Sequence, residues 1–322
     1  MSSSRLPLIS IVIPVFNEEK NVALVYRAVS KVFSGLGGKY AVEYVFTDNH
    51  SADGTFSELQ LLAAQDGNVR VIRFNRNYGF QRSLMTAYRL ASGDAAIQID
   101  CDLQDPPELI PEFLELWATG HDVVVGLRRY REESPLLTWA RRAFYVLLDK
   151  ISDDRLTPNA GDFRLVDRKV LDQLRQLNHL NPYVRGLISS LAANETGIAY
   201  DRRSRQHDQS KFPVQRLFGF ALDGIIAHSV LPLKLAAYFG VLASMLTCLL
   251  SGYYIFSAIA FGADWPRGFA TTTVLLLFGV GLNGIFMGIL GEYIGRIYQQ
   301  VHQRPLTVIE QAINFPESKR VA

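Results

Sequence analysis

The sequence predicts an α/β protein: a mostly parallel, doubly wound sheet in residues 1–212, followed by a two-helix membrane hairpin. Three observations lead there. Strand-like and helix-like stretches alternate from Leu8 to Gly126, an order that gives parallel strands joined by right-handed crossovers. Two runs without a formal charge, 29 residues from Leu235 to Ala263 and 24 from Gly268 to Gly291, each exceed the roughly 20 apolar residues that a spanning helix needs. Polar and charged residues stand at the ends of the predicted strands, where sheets of this kind place their ligands.

Leu8 to Val15 is apolar and β-branched and reads as the first strand. Glu18 to Leu36 carries Val22, Val25, Val29, Val32 and Phe33 at helical spacing before a cluster of glycines ends it. Val42 to Thr47 is a second strand, and Ser51 to Ala64 a helix with Ser51 or Asp53 as candidate cap. Val69 to Phe74, Ala95 to Asp100 and Asp122 to Gly126 read as the next strands, with helices at Gln81–Ala91 and Pro107–Trp117 between them. A closed eight-unit barrel needs about 250 residues and is disfavoured.

The apolar run before Asp100-Cys101-Asp102 ends in two carboxylates followed by Pro106-Pro107. Side chains alternate along a strand, so extension through Cys101 would put Asp100 and Asp102 on one face. Two converging carboxylates repel unless a cation joins them, and oxygen-only ligands favour Mg²⁺ or Mn²⁺ shared with substrate phosphates. A bare Asp-x-Asp is more often a solvated acidic turn; here other strand ends agree with a site. Asp48 can accept from a base N–H or a ribose hydroxyl, and Arg128 and Arg131 can neutralise phosphate oxygens. No G-x-G-x-x-G follows the first strand and no G-x-x-x-x-G-K-[ST] occurs, which counts against a dinucleotide dehydrogenase and a P-loop enzyme.

Ile13-Pro14-Val15-Phe16-Asn17-Glu18, followed by Asp48-x-x-Ser51-x-Asp53-Gly54-Thr55, resembles the opening of family 2 glycosyltransferases of GT-A (Rossmann-like) fold. Asp100-Cys101-Asp102-Leu103-Gln104-Asp105-Pro106-Pro107 is similar to the metal segment of the dolichol-phosphate mannose synthase branch. Gly161-Asp162-Phe163-Arg164 and Arg205-x-x-x-x-Ser210-Lys211-Phe212 resemble its acceptor-side motifs. The architecture resembles bacterial polyisoprenyl-phosphate glycosyltransferases of the GtrB type. Asn49 and His50 stand where the family often has aspartate and glycine, and Asp208 where glycine is common.

The resemblance implies an inverting transfer of a hexose from a nucleotide sugar to polyprenyl phosphate. UDP-glucose is the favoured donor, and GDP-mannose the alternative. Pro14, Asn17, Glu18, Asp48, Arg128 and Arg131 would hold the nucleotide sugar. Asp100, Asp102 and Gln104 would hold the metal, and Arg164, Arg205, Ser210 and Lys211 the lipid phosphate. Asp162 would be the base, or would orient the donor or Arg164; with Asp102 it makes up the catalytic pair. A processive synthase would add Q-x-x-R-W and further spans, and a scaffold without catalysis would not need these aspartates.

Basic residues flank the hairpin (Arg202, Arg203, Arg205, Lys211, Arg216 and Lys234 before, Arg296, Arg304, Lys319 and Arg320 after), whereas the short connection holds Arg267 alone. That bias predicts a two-span protein of the cell membrane with its catalytic domain and both termini cytoplasmic. The expected plan is a catalytic domain at 1–212, an interfacial helix at 213–230, spans at 231–263 and 268–295, and a cytoplasmic tail at 296–322. Gly279, Gly281, Gly284 and Gly288 beside Asn283 permit close helix packing, compatible with a homo-oligomer. The net charge of +2, with no basic run interleaved with aromatics, gives no support for nucleic-acid binding. Cys101 and Cys248, in a predicted strand and a predicted span, are not expected to pair.

Overall fold

The computed structural model describes residues 5–129, 160–177, 182–201, 268–301 and 305–315, with scattered positions between 233 and 260 that include the run 238–242. The strands are β1 (Leu8–Val15), β2 (Ala41–Asp48), β3 (Val69–Phe74), β4 (Ala95–Gln98), β5 (Val123–Arg128), β6 (Ala160–Asp167), β7 (Glu195–Tyr200) and β8 (Ile309–Ile313). The helices are α1 (Glu19–Gly35), α2 (Thr55–Gln65), α3 (Phe80–Leu90), α4 (Ile110–Ala118), α5 (Arg168–Gln176), α6 (Val184–Leu191) and α7 (Phe269–Val301). The chain divides into two compact units, one carrying all eight of these strands and the other carrying α7.

β1 is buried from Ile9 to Val15 because both faces of the sheet are covered. Ile9, Ile11 and Ile13 join Val22, Val25 and Val29 of α1, whereas Val12 packs on the other face with Leu84 and Met85 of α3. Each such side chain removed from water contributes about 1.5–3 kcal/mol, which explains why a near-continuous apolar run makes a central parallel strand.

The sheet runs β7-β5-β6-β4-β1-β2-β3-β8. β4, β1, β2 and β3 are parallel, as the alternation predicts. The other half departs from it: β6 lies antiparallel between β4 and β5, so β5 is not the neighbour of β4. The segment expected as a tail also supplies β8, an antiparallel edge strand on β3. α2 begins at Thr55 with Gly54 as its cap. Asp53 closes a turn by accepting from the Thr55 amide, while the Ser51 hydroxyl accepts from the Asn17 amide.

The expected interfacial helix at 213–230 lies outside the described residues, as does most of the first expected span at 231–263. α7 overlaps the second span and continues to Val301. It has 33 residues and exposes Leu276, Phe278, Ile285 and Met287. Measured by hydropathy over the described residues, however, no helix is long and apolar enough to cross a membrane.

At the end of the sheet opposite the candidate site, Glu43 is buried and accepts from the Ser10 hydroxyl (2.5 Å) and the Ser92 amide (2.5 Å). Arg70 pairs with it at 2.6 Å. A Cβ on Gly93 would lie 2.6–2.7 Å from backbone atoms of Ala95, Leu8 and Ser10, so only glycine lets the chain pass there. Arg70→Ala leaves a buried carboxylate without its counter-ion and should destabilise the fold by about 3 kcal/mol. Denaturant unfolding measures this; a loss under about 0.5 kcal/mol, as for ordinary surface changes, would contradict it.

Candidate active site

A cleft of about 330 Å³ opens at the carboxyl ends of the parallel strands. Pro14, Val15, Phe16 and Glu18 come from the end of β1, Asn49 from the end of β2, and Asn77 from the end of β3. Gly79, Phe80 and Ser83 form the start of α3, and Asp100, Cys101 and Asp102 follow β4. Gly79, at φ 85°, adopts a left-handed backbone that lets the chain turn into α3.

Asp100 and Asp102 both reach the cleft, but not by strand alternation. β4 ends at Gln98, and the carboxylates converge through a turn whose Leu103 has φ 53°. The Gln98 side chain donates to Asp100 Oδ1 at 2.9 Å, and the Gln104 amide to Asp102 Oδ1 at 3.2 Å. The Gln104 side chain is not part of the cleft lining. Among the described residues no group of three or more His, Cys, Asp or Glu side chains could hold a metal ion. Two carboxylates lining one cleft would suit a divalent cation that takes its other ligands from elsewhere. Burial, then the nearby carboxylates of Glu18, Asp102 and Asp100, push the Cys101 thiol up, so it remains a neutral wall.

Three expected ligands are committed elsewhere. Asp48 is fully buried; its Oδ1 accepts from the Ser51 amide at 3.0 Å and its Oδ2 lies 3.6 Å from Arg73. It therefore shapes the loop whose next residue, Asn49, faces the cleft. Arg164, expected on the lipid phosphate, is 2% exposed and donates to the Gly161 and Arg185 carbonyls. Asn17 uses its side-chain oxygen to accept from the Ala52 amide at 2.9 Å, which ties the β1 and β2 loops together. Pro14 and Glu18 line the cleft. Arg131, Arg205, Ser210 and Lys211 lie outside the described residues.

Asp162 points to a partner the motifs did not reveal. Arg185, near the start of α6, grips it with both ends of its guanidinium, Nε to Oδ1 at 2.5 Å and Nη2 to Oδ2. Burial works against that guanidinium's charge, but the bonds and charge of Asp162 outweigh it and hold the arginine above its ordinary range. Both carboxylate oxygens accept hydrogen bonds from that guanidinium. In the sequence Arg185 is a lone charge among Val184, Gly186, Leu187 and Ile188, with no motif to mark it.

Arg128 is similarly engaged. Asp105 is fully buried, accepts from the Tyr200 hydroxyl at 2.5 Å and lies 3.6 Å from Arg128. Burial, then the Asp105 charge and hydrogen bond, raise the Tyr200 hydroxyl out of any physiological titration. This trio anchors the turn after β4 to β5 and β7. Gly126 makes room for it, since a Cβ there would meet the Tyr200 ring at 2.7 Å.

With that geometry in view, residues 10–175 match the family described as glycosyl transferase family 2. The chain belongs to that family. It is a glycosyltransferase. It is 37% identical over 305 residues to the SfII prophage-derived bactoprenol glucosyl transferase of Shigella flexneri, covering 94% of this chain and 98% of that one. It is 35% identical over 302 residues to the uncharacterized glycosyltransferase sll0501 of Synechocystis, covering 94% of each chain. The solved glucosyl-3-phosphoglycerate synthase of Mycobacterium tuberculosis in complex with UDP is 20% identical, with a TM-score of 0.46 over 68% of this chain and 78% of that one.

Tyr200→Phe in this glycosyltransferase removes the hydroxyl on Asp105 and leaves a buried acceptor short of one donor. It should lower stability by about 1–3 kcal/mol, read as a lower denaturation midpoint at unchanged slope. An unchanged midpoint would contradict the anchoring role.

Proposed function

We propose that this chain transfers a glucosyl unit from UDP-glucose to polyprenyl phosphate, with inversion at the anomeric carbon and dependence on Mg²⁺ or Mn²⁺. The observation that carries this reading is the 94% coverage shared with a bactoprenol glucosyl transferase, joined to a strand-end cleft lined by Asp100 and Asp102. Pro14, Glu18 and Asn49 line the donor side, and Arg128 acts at the margin, where Asp105 and Tyr200 fix it. A divalent ion on Asp100 and Asp102 would neutralise the diphosphate leaving group. The acceptor phosphate has a second pKa of about 6 and is largely dianionic at neutral pH, so it attacks with little need of a base. Asp162, with both oxygens on Arg185, positions that guanidinium rather than taking a proton. Arg205, Ser210 and Lys211 remain the proposed lipid-phosphate ligands, and Gln104 serves the metal turn through its backbone.

Membrane attachment has separate support. A helix apolar around its whole circumference suits a membrane or a large core, and α7 exposes apolar side chains from Leu275 to Ile297. Its sequence carries no charge from Phe269 to Gly291. β8 belongs to the same sheet as β1, so the chain that leaves the sheet after β7 must return to the same side. Any crossings between are therefore even in number, which suits a hairpin with both flanks cytoplasmic.

A donor panel with purified protein and undecaprenyl phosphate tests the reaction. UDP-glucose should be the donor used, EDTA should abolish transfer, and Mg²⁺ or Mn²⁺ should restore it. Asp102→Asn should lose at least about a hundredfold in rate. Full activity in chelator would refute the metal assignment. Asp162→Asn should lower kcat without rescue at higher pH; rescue there would restore the base role. A cysteine at position 265 should be labelled only from the non-cytoplasmic side; labelling only from the cytoplasm would refute the hairpin.

A further inference from the structure

β8 meets β3 irregularly. Arg73 pairs with Gln311 and Phe74 with Ile309, so Glu310 is the extra residue of a bulge in the ladder. Two consecutive residues, Glu310 and Gln311, are exposed, where a regular edge strand would alternate. A bulge re-aims the side chain it carries, and bulges concentrate at sheet edges and beside active sites. Here the Glu310 carboxylate lies 3.5 Å from Arg73 Nε and 3.4 Å from His50 Nδ1.

Arg73 links this edge to the cleft. It stands directly across from Asp48 in the β2–β3 register, and its Nη1 lies 3.6 Å from Asp48 Oδ2. That oxygen is buried and, among the described residues, has no hydrogen-bond partner, so the Arg73 charge is what stabilises it there. The same guanidinium donates to the Ser51 carbonyl at 3.4 Å and stacks 4.5 Å from the Phe56 ring centroid. The next residue but one toward the loop, His50, holds φ 61° with its Nδ1 at 2.9 Å from the Phe74 carbonyl. Asn49, on the cleft wall, accepts from the Tyr78 amide. The strained loop Asp48–Ser51 is thus held by β3, and β3's arginine is held by β8.

We propose that β8 is a positioning element of the donor site: Glu310, through Arg73, fixes the Asp48–Ser51 loop and with it the Asn49 wall of the cleft. Neither residue touches substrate. The inference rests on the reading of that cleft as the nucleotide-sugar site, and it makes the C-terminal strand part of donor recognition.

The experiment uses the full chain, with UDP-glucose and polyprenyl phosphate varied separately. Glu310 is partly exposed, and an ion pair of that kind is worth up to about 1 kcal/mol. Glu310→Gln should therefore raise the donor KM about two- to fivefold, with kcat and acceptor KM unchanged and the melting temperature lowered by no more than about 4 °C. Glu310→Asp should restore part of the donor KM. Arg73→Gln, which strips the buried Asp48 oxygen of its counter-charge, should raise the donor KM further, and amide exchange at Asn49–Ser51 should quicken in both Glu310→Gln and Arg73→Gln. A wild-type donor KM in Glu310→Gln, or a change confined to kcat or to melting, would overturn the positioning role while leaving the donor site intact. Absence of transfer by the wild-type chain from every nucleotide sugar would overturn the donor-site reading and this inference with it.

Discussion

Everything at the carboxyl end of this sheet is organised by the cost of gathering aspartates there. Asp48, Asp100, Asp102, Asp105 and Asp162 arrive from three strands of one sheet, β2, β4 and β6. Burying a carboxylate without a counter-charge is prohibitive, and breaking an existing buried pair costs several kcal/mol. The fold answers with one arginine for each deeply buried carboxylate: Arg73 for Asp48, Arg128 for Asp105 and Arg185 for Asp162. Asp100 and Asp102 are the two that line the cleft. The arginine pairs thus hold Asp48, Asp105 and Asp162 in place, whereas Asp100 and Asp102 line the cleft.

This sorting connects packing to chemistry. The turn after β4 carries Leu103 in a left-handed conformation, a strain on the order of 1 kcal/mol that persists only where surrounding structure imposes it. The Asp105–Tyr200–Arg128 trio supplies that imposition on one side, and the Gln98 bond to Asp100 on the other. The proposed cation site is thereby set before any ligand arrives, which is how a leaving group is stabilised without reorganising its surroundings.

Much of the first half was legible in the sequence, because its strands are buried on both faces and appear as unbroken apolar runs. β1 and β3 have the predicted bounds, and Asp100 and Asp102 line the cleft through a turn after β4 rather than by strand alternation. The second half was not legible for reasons of geometry. β6 inserts between β4 and β5 against the local βα rhythm, and β8 comes from beyond α7, more than 200 residues after its partner in sequence order. Pairings of such long range leave no periodic signal. Burial was equally hidden: Asp48 and Arg164 carry functional chemistry as residue types, and only the packing shows that both turn inward. Arg185 had no motif, since its role exists only through Asp162 across space.

In the proposed function, Asp100 and Asp102 would hold the cation while the other three carboxylates keep the walls in place. Mn²⁺ uptake followed by electron paramagnetic resonance, with UDP present, tests it without relying on turnover. Asp100→Asn and Asp102→Asn should each abolish uptake, and a folded Asp105→Asn protein should retain it. Undiminished uptake in the first two, or loss in a folded Asp105→Asn protein, would contradict the account.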